Sequence, residues 1–333
     1  MRIKKSLVLV LVSTILALPL AEFAVRVASA RWLLVFDVEM WRYAREIKTE
    51  SSVPGMVEEH QPDKESKLMG VRIRTDAHGF RLPDSDTAER RKSNNRIVVA
   101  LGDSLTLGWG VPEGNTYSDL LEKALNERAG QSNARLFTVF NAGIGNSNTS
   151  MEVERYQQDI RRLKPEWLIL GFFINDAEPD PVANNSIVVK YSALAALIST
   201  QRSIRTGARY ENYQTYYRGL YDDDRPGYQR MKQRLGELGR LLREDKVAAT
   251  MVLLPEMHEP RGFGPFADVY EKVAALAREN GFEVIDASKD FLAGPGNDYW
   301  VARDDAHPNA AAQILFATAL TKSKYFPVSP PKE

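Results

Sequence analysis

From residue 96 onward, short apolar runs alternate with stretches in which apolar positions recur every three or four residues. The runs fall at 97–101, 136–140, 167–171, 248–254 and 283–285. Most are apolar nearly throughout rather than at every second position, the pattern of a strand buried on both faces. The helix-period stretches lie near 116–128, 150–163, 227–244, 266–280 and 309–321. Such alternation predicts parallel strands joined by crossover helices. The expected fold class is α/β: a three-layer α/β/α sandwich around a central parallel sheet of about five strands.

Upstream the pattern changes. Residues 7–18 are apolar apart from Ser13 and Thr14, and Arg2, Lys4 and Lys5 precede them. A basic start followed by an apolar core has the shape of an export signal. To span a membrane, the run must continue through Pro19, Leu20 and Ala21. Ala28-Ser29-Ala30 fits an A-x-A cleavage site, but beyond Glu22 and Arg26. We read residues 1–30 as an anchor kept in place, with its basic end in the cytoplasm, in preference to a cleaved signal peptide. Either reading exports the rest of the chain, to a periplasmic or extracellular setting. Residues 31–95 read as a connector, with 48–67 an extended polar stalk and 86–95 a charged loop. A catalytic domain is expected over 96–325, with an insertion at about 177–247 and a tail at 326–333.

Composition narrows the chemistry. Lys plus Arg and Asp plus Glu each number 44 in 333 residues, so no basic excess points to a nucleic-acid partner. The absence of cysteine excludes disulfides, thiolate zinc sites, a cysteine nucleophile and a lipidated cysteine anchor.

In open parallel sheets, ligands bind beyond the carboxyl ends of the strands. Gly102-Asp103-Ser104 follows the first predicted strand, and Asn141 to Asn146 follows the second. Phe173-Ile174-Asn175-Asp176 follows the third, and Asp304-Asp305-Ala306-His307-Pro308 precedes the last helix. A serine hydroxyl becomes a nucleophile when a neighbouring base takes its proton. Histidine suits that role near neutrality, and a carboxylate on its other ring nitrogen fixes the tautomer. The oxyanion of the intermediate needs converging donors, each worth about 3 kcal/mol in the barrier. Asn175 offers a side-chain N–H, and the Gly145–Asn146 turn a backbone N–H. The plainer reading of Ser104 is a helix cap; three further matching strand ends favour the nucleophile.

GDSLT at 102–106, NAGIGNSNT at 141–149, FIND at 173–176 and DDAHPN at 304–309 resemble, in order, the blocks of the SGNH (GDSL) hydrolase superfamily. The resemblance covers roughly 96–323 and implies a flavodoxin-like sandwich of the SGNH type. It implies Ser104 as nucleophile, His307 as base and Asp304, three residues earlier, as its orienter. Asp305 is the alternative orienter. Ser104 N–H, Gly145 or Asn146 N–H and Asn175 would form the oxyanion hole. Two departures stand out. Phe173 occupies the usual glycine of the third block, which is expected to narrow the pocket. Asn146 falls where the oxyanion glycine usually stands, with Gly145 one position earlier.

Of the four histidines, His60 lies in the connector. His78 lies in TDAHGFRLP, which resembles a segment preceding the domain in membrane-anchored members of the superfamily. His258 is the rival base, without the Asp-x-x spacing. A metallophosphoesterase site would need more histidines than this chain can bring together and an Asp-x-His block on an early predicted strand; neither is present. No metal and no organic cofactor is implied. In the insertion, Tyr210, Tyr213, Tyr216, Tyr217, Tyr221 and Tyr228 stand among Arg202, Arg205, Arg209 and Arg218. Packing against the core is favoured over a substrate-facing aromatic wall.

The expected activity is that of a serine esterase acting through an acyl-enzyme on a small ester or an O-acylated envelope or secreted glycan. An O-acyltransferase using the same triad and a non-catalytic glycan-binding module are the alternatives. The expected partners are that substrate and, through residues 1–30, a membrane.

Overall fold

In a computed structural model of the chain, residues 5–31, 36–51, 53–84, 94–131, 135–179, 191–198 and 210–327 are described. The chain opens with helices α1 (Lys5–Arg31) and α2 (Phe36–Glu46). Two antiparallel hairpins follow: β1 (Lys48–Glu50) with β2 (Glu58–His60), and β3 (Glu65–Leu68) with β4 (Val71–Arg74). Next come β5 (Arg96–Gly102), the short α3 (Ser104–Leu107), α4 (Tyr117–Gln131) and β6 (Phe137–Gly143). The chain continues through α5 (Thr149–Gln158), β7 (Trp167–Phe172), α6 (Tyr210–Leu220), α7 (Pro226–Asp245) and β8 (Ala248–Leu253). It closes with α8 (Ala267–Glu279), β9 (Glu283–Asp286), the hairpin β10 (Trp300–Ala302) to β11 (Asp305–Pro308), and α9 (Ala310–Leu320).

β5 shows why helices cover both faces of the sheet. Val99 and Leu101 pack into one core with Leu168, Leu170 and Met251, against Val153 of α5, Leu238 of α7 and Val273 of α8. Val98 and Ala100 point the other way, with Ile169 and Val252, against Leu121 of α4 and Phe316 of α9. Each strand thus feeds two cores through its period of two. The sheet has five parallel strands in the order β6-β5-β7-β8-β9. That is the 2-1-3-4-5 flavodoxin-like order, whose switch point lies between β5 and β7. The five expected strands and the three-layer class are those observed.

Residues 48–67 are not an extended stalk. Ser66 and Leu68 of β3 are buried while Glu65 and Lys67 face out. Leu68, Met69 and Ile73 form a third core with Tyr43 and Ile47, closed by Leu107 and Trp109 beyond β5. Single apolar residues spaced among charges hid these short hairpins. Residues 85–93, most of the expected charged loop, lie outside the described residues.

In the insertion, Tyr221 and Tyr228 are buried in the first core, with Tyr213 and Tyr217 packed against it. Tyr216 is exposed. The favoured packing reading therefore holds for most of the tyrosines described. Arg202, Arg205, Arg209 and the Tyr210 side chain fall outside the described residues.

Candidate active site

Gly102 ends β5 because α3 starts against it. A Cβ on Gly102 would lie 2.2 Å from Thr106 Oγ1, and one on Gly143 would lie 2.1 Å from Leu107 N. Only glycine lets α3 sit this close to the ends of β5 and β6. Asp103 caps α3, its Oδ1 accepting the Leu105 N–H at 2.9 Å. Ser104 is the first residue of that turn, at the switch point of the sheet.

The β10–β11 hairpin brings His307 over Ser104. His307 Nε2 lies 3.0 Å from Ser104 Oγ. Asp305 Oδ1 accepts His307 Nδ1–H at 2.6 Å and the His307 backbone N–H at 3.0 Å. With Nδ1 protonated toward a carboxylate, Nε2 is the acceptor and the serine hydroxyl donates to it. Asp305 Oδ2 accepts the Trp109 indole N–H at 2.9 Å. Burial pushes the Asp305 carboxyl up, but the hydrogen bonds and charge of His307, aided by Trp109, hold it below the ordinary value.

Asp304, expected as the orienter, is exposed at the hairpin turn, and the bond to His307 comes from Asp305. The reason is local. β11 starts at Asp305, and residues two apart on a strand share a face. Asp305 and His307 therefore point inward together, and Asp304 points away. His258, the rival base, makes its own dyad with Glu256 beside Trp300. It helps line a cavity of about 480 Å³ with Arg261 and Asn297.

The turn after β6 has several donors, most of them engaged. Ile144 N–H reaches Gly102 O at 3.0 Å, and Ser147 N–H reaches Ile144 O at 3.1 Å. Gly145 N–H donates to the Tyr43 hydroxyl at 2.9 Å, so Gly145, expected as an oxyanion donor, is turned away from that role. Its carbonyl accepts from Lys48 Nζ at 3.0 Å. Asn146 follows at φ +63°, a left-handed conformation that asparagine tolerates. Among the described residues no acceptor takes the backbone N–H of Asn146 or of Ser104. Asn175 is partly exposed, beside Asp103, its buried Oδ1 without a partner among the described residues. Phe173, in the usual glycine position, packs between the two main cores.

Three carboxyls near Ser104 are buried, Asp103, Glu152 and Asp176. Burial raises Asp103 to about 6, against the Leu105 N–H bond, nearby His307 and the Asn175 amide. Burial and mutual repulsion raise Glu152 and Asp176 well above the ordinary carboxyl range.

Contacts from the N-terminal segment were not foreseen. The Phe36 ring lies 5.5 Å from the His307 ring. Tyr43 forms a chain: Gly145 N–H to Tyr43 Oη, Tyr43 O–H to His60 Nε2 at 2.6 Å, and His60 Nδ1–H to Gly79 O at 3.0 Å. Burial lowers His60 to about 3, so the ring is neutral and serves this chain as donor and acceptor at once. Arg81, of the GFR stretch, donates to the carbonyls of Leu107, Gly108 and Val111 at 2.7, 2.6 and 2.5 Å. It thereby closes the carboxyl end of α3.

The family model for the GDSL-like lipase/acylhydrolase family matches residues 100–313. No curated protein matches the chain. Several solved structures are similar to it. LAE5, an alpha/beta hydrolase from the metagenome of Lake Arreo, is 20% identical, with TM-score 0.45 over 70% of this chain and 96% of that one. A putative lipolytic protein of the G-D-S-L family from Desulfitobacterium hafniense is 15% identical, with TM-score 0.43 over 68% and 99%. Axe2, an acetylxylan esterase from Geobacillus stearothermophilus, is 16% identical, with TM-score 0.46 over 72% and 100%.

Proposed function

The chain belongs to the GDSL-like lipase/acylhydrolase family, hydrolases of ester bonds, and on that footing we propose that it is a serine esterase working through an acyl-enzyme. The observation that carries this is the Ser104 Oγ to His307 Nε2 contact of 3.0 Å, with Asp305 on the opposite ring nitrogen at 2.6 Å. Ser104 Oγ attacks the carbonyl carbon as its proton passes to His307 Nε2. Asp305 stabilises the imidazolium so formed. The oxyanion is met by the N–H groups of Ser104 and Asn146 and the side-chain amide of Asn175. The bond to the alcohol breaks, and the alcohol leaves with the proton from His307. Water then attacks the acyl-enzyme and gives its proton to His307, which returns it to Ser104 as the acid departs.

We take α1 as an anchor retained in the mature chain. Leu7–Ser29 is long and apolar enough to cross a membrane. The Ala28-Ser29-Ala30 site lies inside the helix, with Ser29 buried and its carbonyl accepting from Arg42 at 3.5 Å. That site is poorly presented for cleavage. The catalytic half then lies outside the cytoplasm, where O-acylated envelope glycans are the substrates at hand. Short activated esters test the chemistry. Ser104-dependent turnover is expected, and turnover equal in folded Ser104→Ala would refute the mechanism.

A further inference from the structure

We propose that the active site works at the membrane surface, on an ester carried by the headgroup of a membrane-embedded amphiphile. This rests on the serine-esterase reading and on α1 as an anchor. A helix of 23 residues is about 34 Å long, against a hydrocarbon core of about 30 Å. The exit end of α1 is held against α2, Arg42 donating to Ser29 O at 3.5 Å, and against residues 191–198. Arg26 donates to Tyr191 O at 2.7 Å. Glu22 accepts from Ser192 Oγ and from the N–H groups of Ala193 and Leu194 at 2.8, 3.0 and 2.9 Å.

Those bonds hold the helical turn 193–198 of the insertion beside Glu22, about 10 Å before the exit end of the apolar span. Its composition suits that level: Ala193, Leu194, Ala195, Ala196, Leu197 and an exposed Ile198. Backbone N–H groups need partners where water is scarce, and Glu22 supplies them. Trp41 and Tyr191 lie at the same end of α1. The Arg26 and Arg45 guanidinium groups each lie 5.2 Å from the Trp41 ring, and Arg45 also lies 5.2 Å from the Tyr191 ring. Aromatic rings with arginines at the end of an apolar span mark the headgroup layer.

The site is close to this layer. Phe36, whose ring faces His307, comes five residues after the last residue of α1. Five residues reach at most about 18 Å. An ester borne by a bilayer amphiphile meets Ser104 without leaving the membrane, whereas a substrate in bulk water must diffuse into the headgroup layer to reach it.

The test uses the full chain in phosphatidylglycerol–phosphatidylethanolamine vesicles. Two esters with the same reacting group are compared by acetate release: hexadecyl O-acetylglucoside in the bilayer and methyl O-acetylglucoside in solution. p-Nitrophenyl acetate reports the chemistry independently. The bilayer ester is expected to turn over at least about tenfold faster at matched total concentration. Glu22→Ala with Arg26→Ala, which unties 191–198 from α1, should lower that rate about tenfold and leave p-nitrophenyl acetate unchanged. Ile198→Asp, at an exposed position where the fold is not at stake, should act the same way more weakly. Equal turnover of the two glucosides, or equal effects of the variants on all three esters, overturns the membrane-surface proposal alone. No Ser104-dependent turnover of any ester overturns the esterase reading, and the proposal with it.

Discussion

The strand ends at 102–176 and the segment 36–82 divide the work of the site unevenly. The strand ends, with the hairpin at 300–308, hold every group that the proposed mechanism uses. The N-terminal segment holds none, yet it touches the supports of those groups. Phe36 lies against His307, Tyr43 and Lys48 hold the Gly145 backbone, and Arg81 gathers the carbonyls at the end of α3. The two regions also treat buried charge differently. Arg81 has three carbonyl partners, although its Nε has none among the described residues, and Lys48 is paired with Glu58. Among the described residues, neither carboxyl oxygen of buried Glu152 has a hydrogen-bond partner, and Asp103 and Asp176 crowd beside it. The N-terminal segment meets most of its buried charge with partners, whereas the strand ends crowd three carboxyls together.

Substitutions at the reacting groups should show the largest effect. Ser104→Ala should lower kcat on short esters by about 10³-fold or more with the fold intact. Asp305→Asn should cost on the order of 10²- to 10⁴-fold, because the amide cannot hold the imidazolium. Asp304→Asn should stay within about twofold, as expected of an exposed residue without contact to the imidazole. Steady-state kinetics on the purified variants separates the two aspartates. The reverse ranking would break the assignment of Asp305.

Tyr43→Phe tests whether the N-terminal segment matters to catalysis at all. It removes the hydroxyl between Gly145 N–H and His60, leaving both buried groups unpaired at about 1–3 kcal/mol. If the freed turn loses its aim at the oxyanion, kcat should fall about tenfold to a hundredfold while KM changes by less than about threefold. A loss of stability with kcat unchanged would reduce the segment to scaffolding.

The same division explains what could be read from the chain. The five strands and the helices between them follow from periodicity, which repeats and is local. Ser104, His307 and Asn175 follow from blocks at strand ends. Asp304 and Asp305 are adjacent, and only the side-chain alternation of β11 tells them apart, a strand too short to announce itself. Gly145 against Asn146 depends on which N–H is already engaged, and its partner, Tyr43, is 102 residues away. No period or motif encodes such a contact. The hairpins at 48–74 were mistaken for a stalk because each buries only one or two side chains per strand.

The buried carboxyls give the smallest effect, and one on stability rather than rate. Their folded-state pKa values are raised, so the folded chain holds protons that the unfolded chain releases. Stability is therefore whole below the ordinary carboxyl range and declines as pH rises through and above it. Glu152→Gln keeps the shape, removes one of the mutually repelling charges and supplies an amide donor beside the other two carboxyls. At pH 8 it should raise stability by about 1 kcal/mol, a Tm shift of a few degrees. At pH 4, where the wild-type carboxyl is already neutral, the gain should vanish. Thermal unfolding of both proteins across that range reads the difference. A gain of the same size at both pH values would mean that packing, not charge, separates the two side chains.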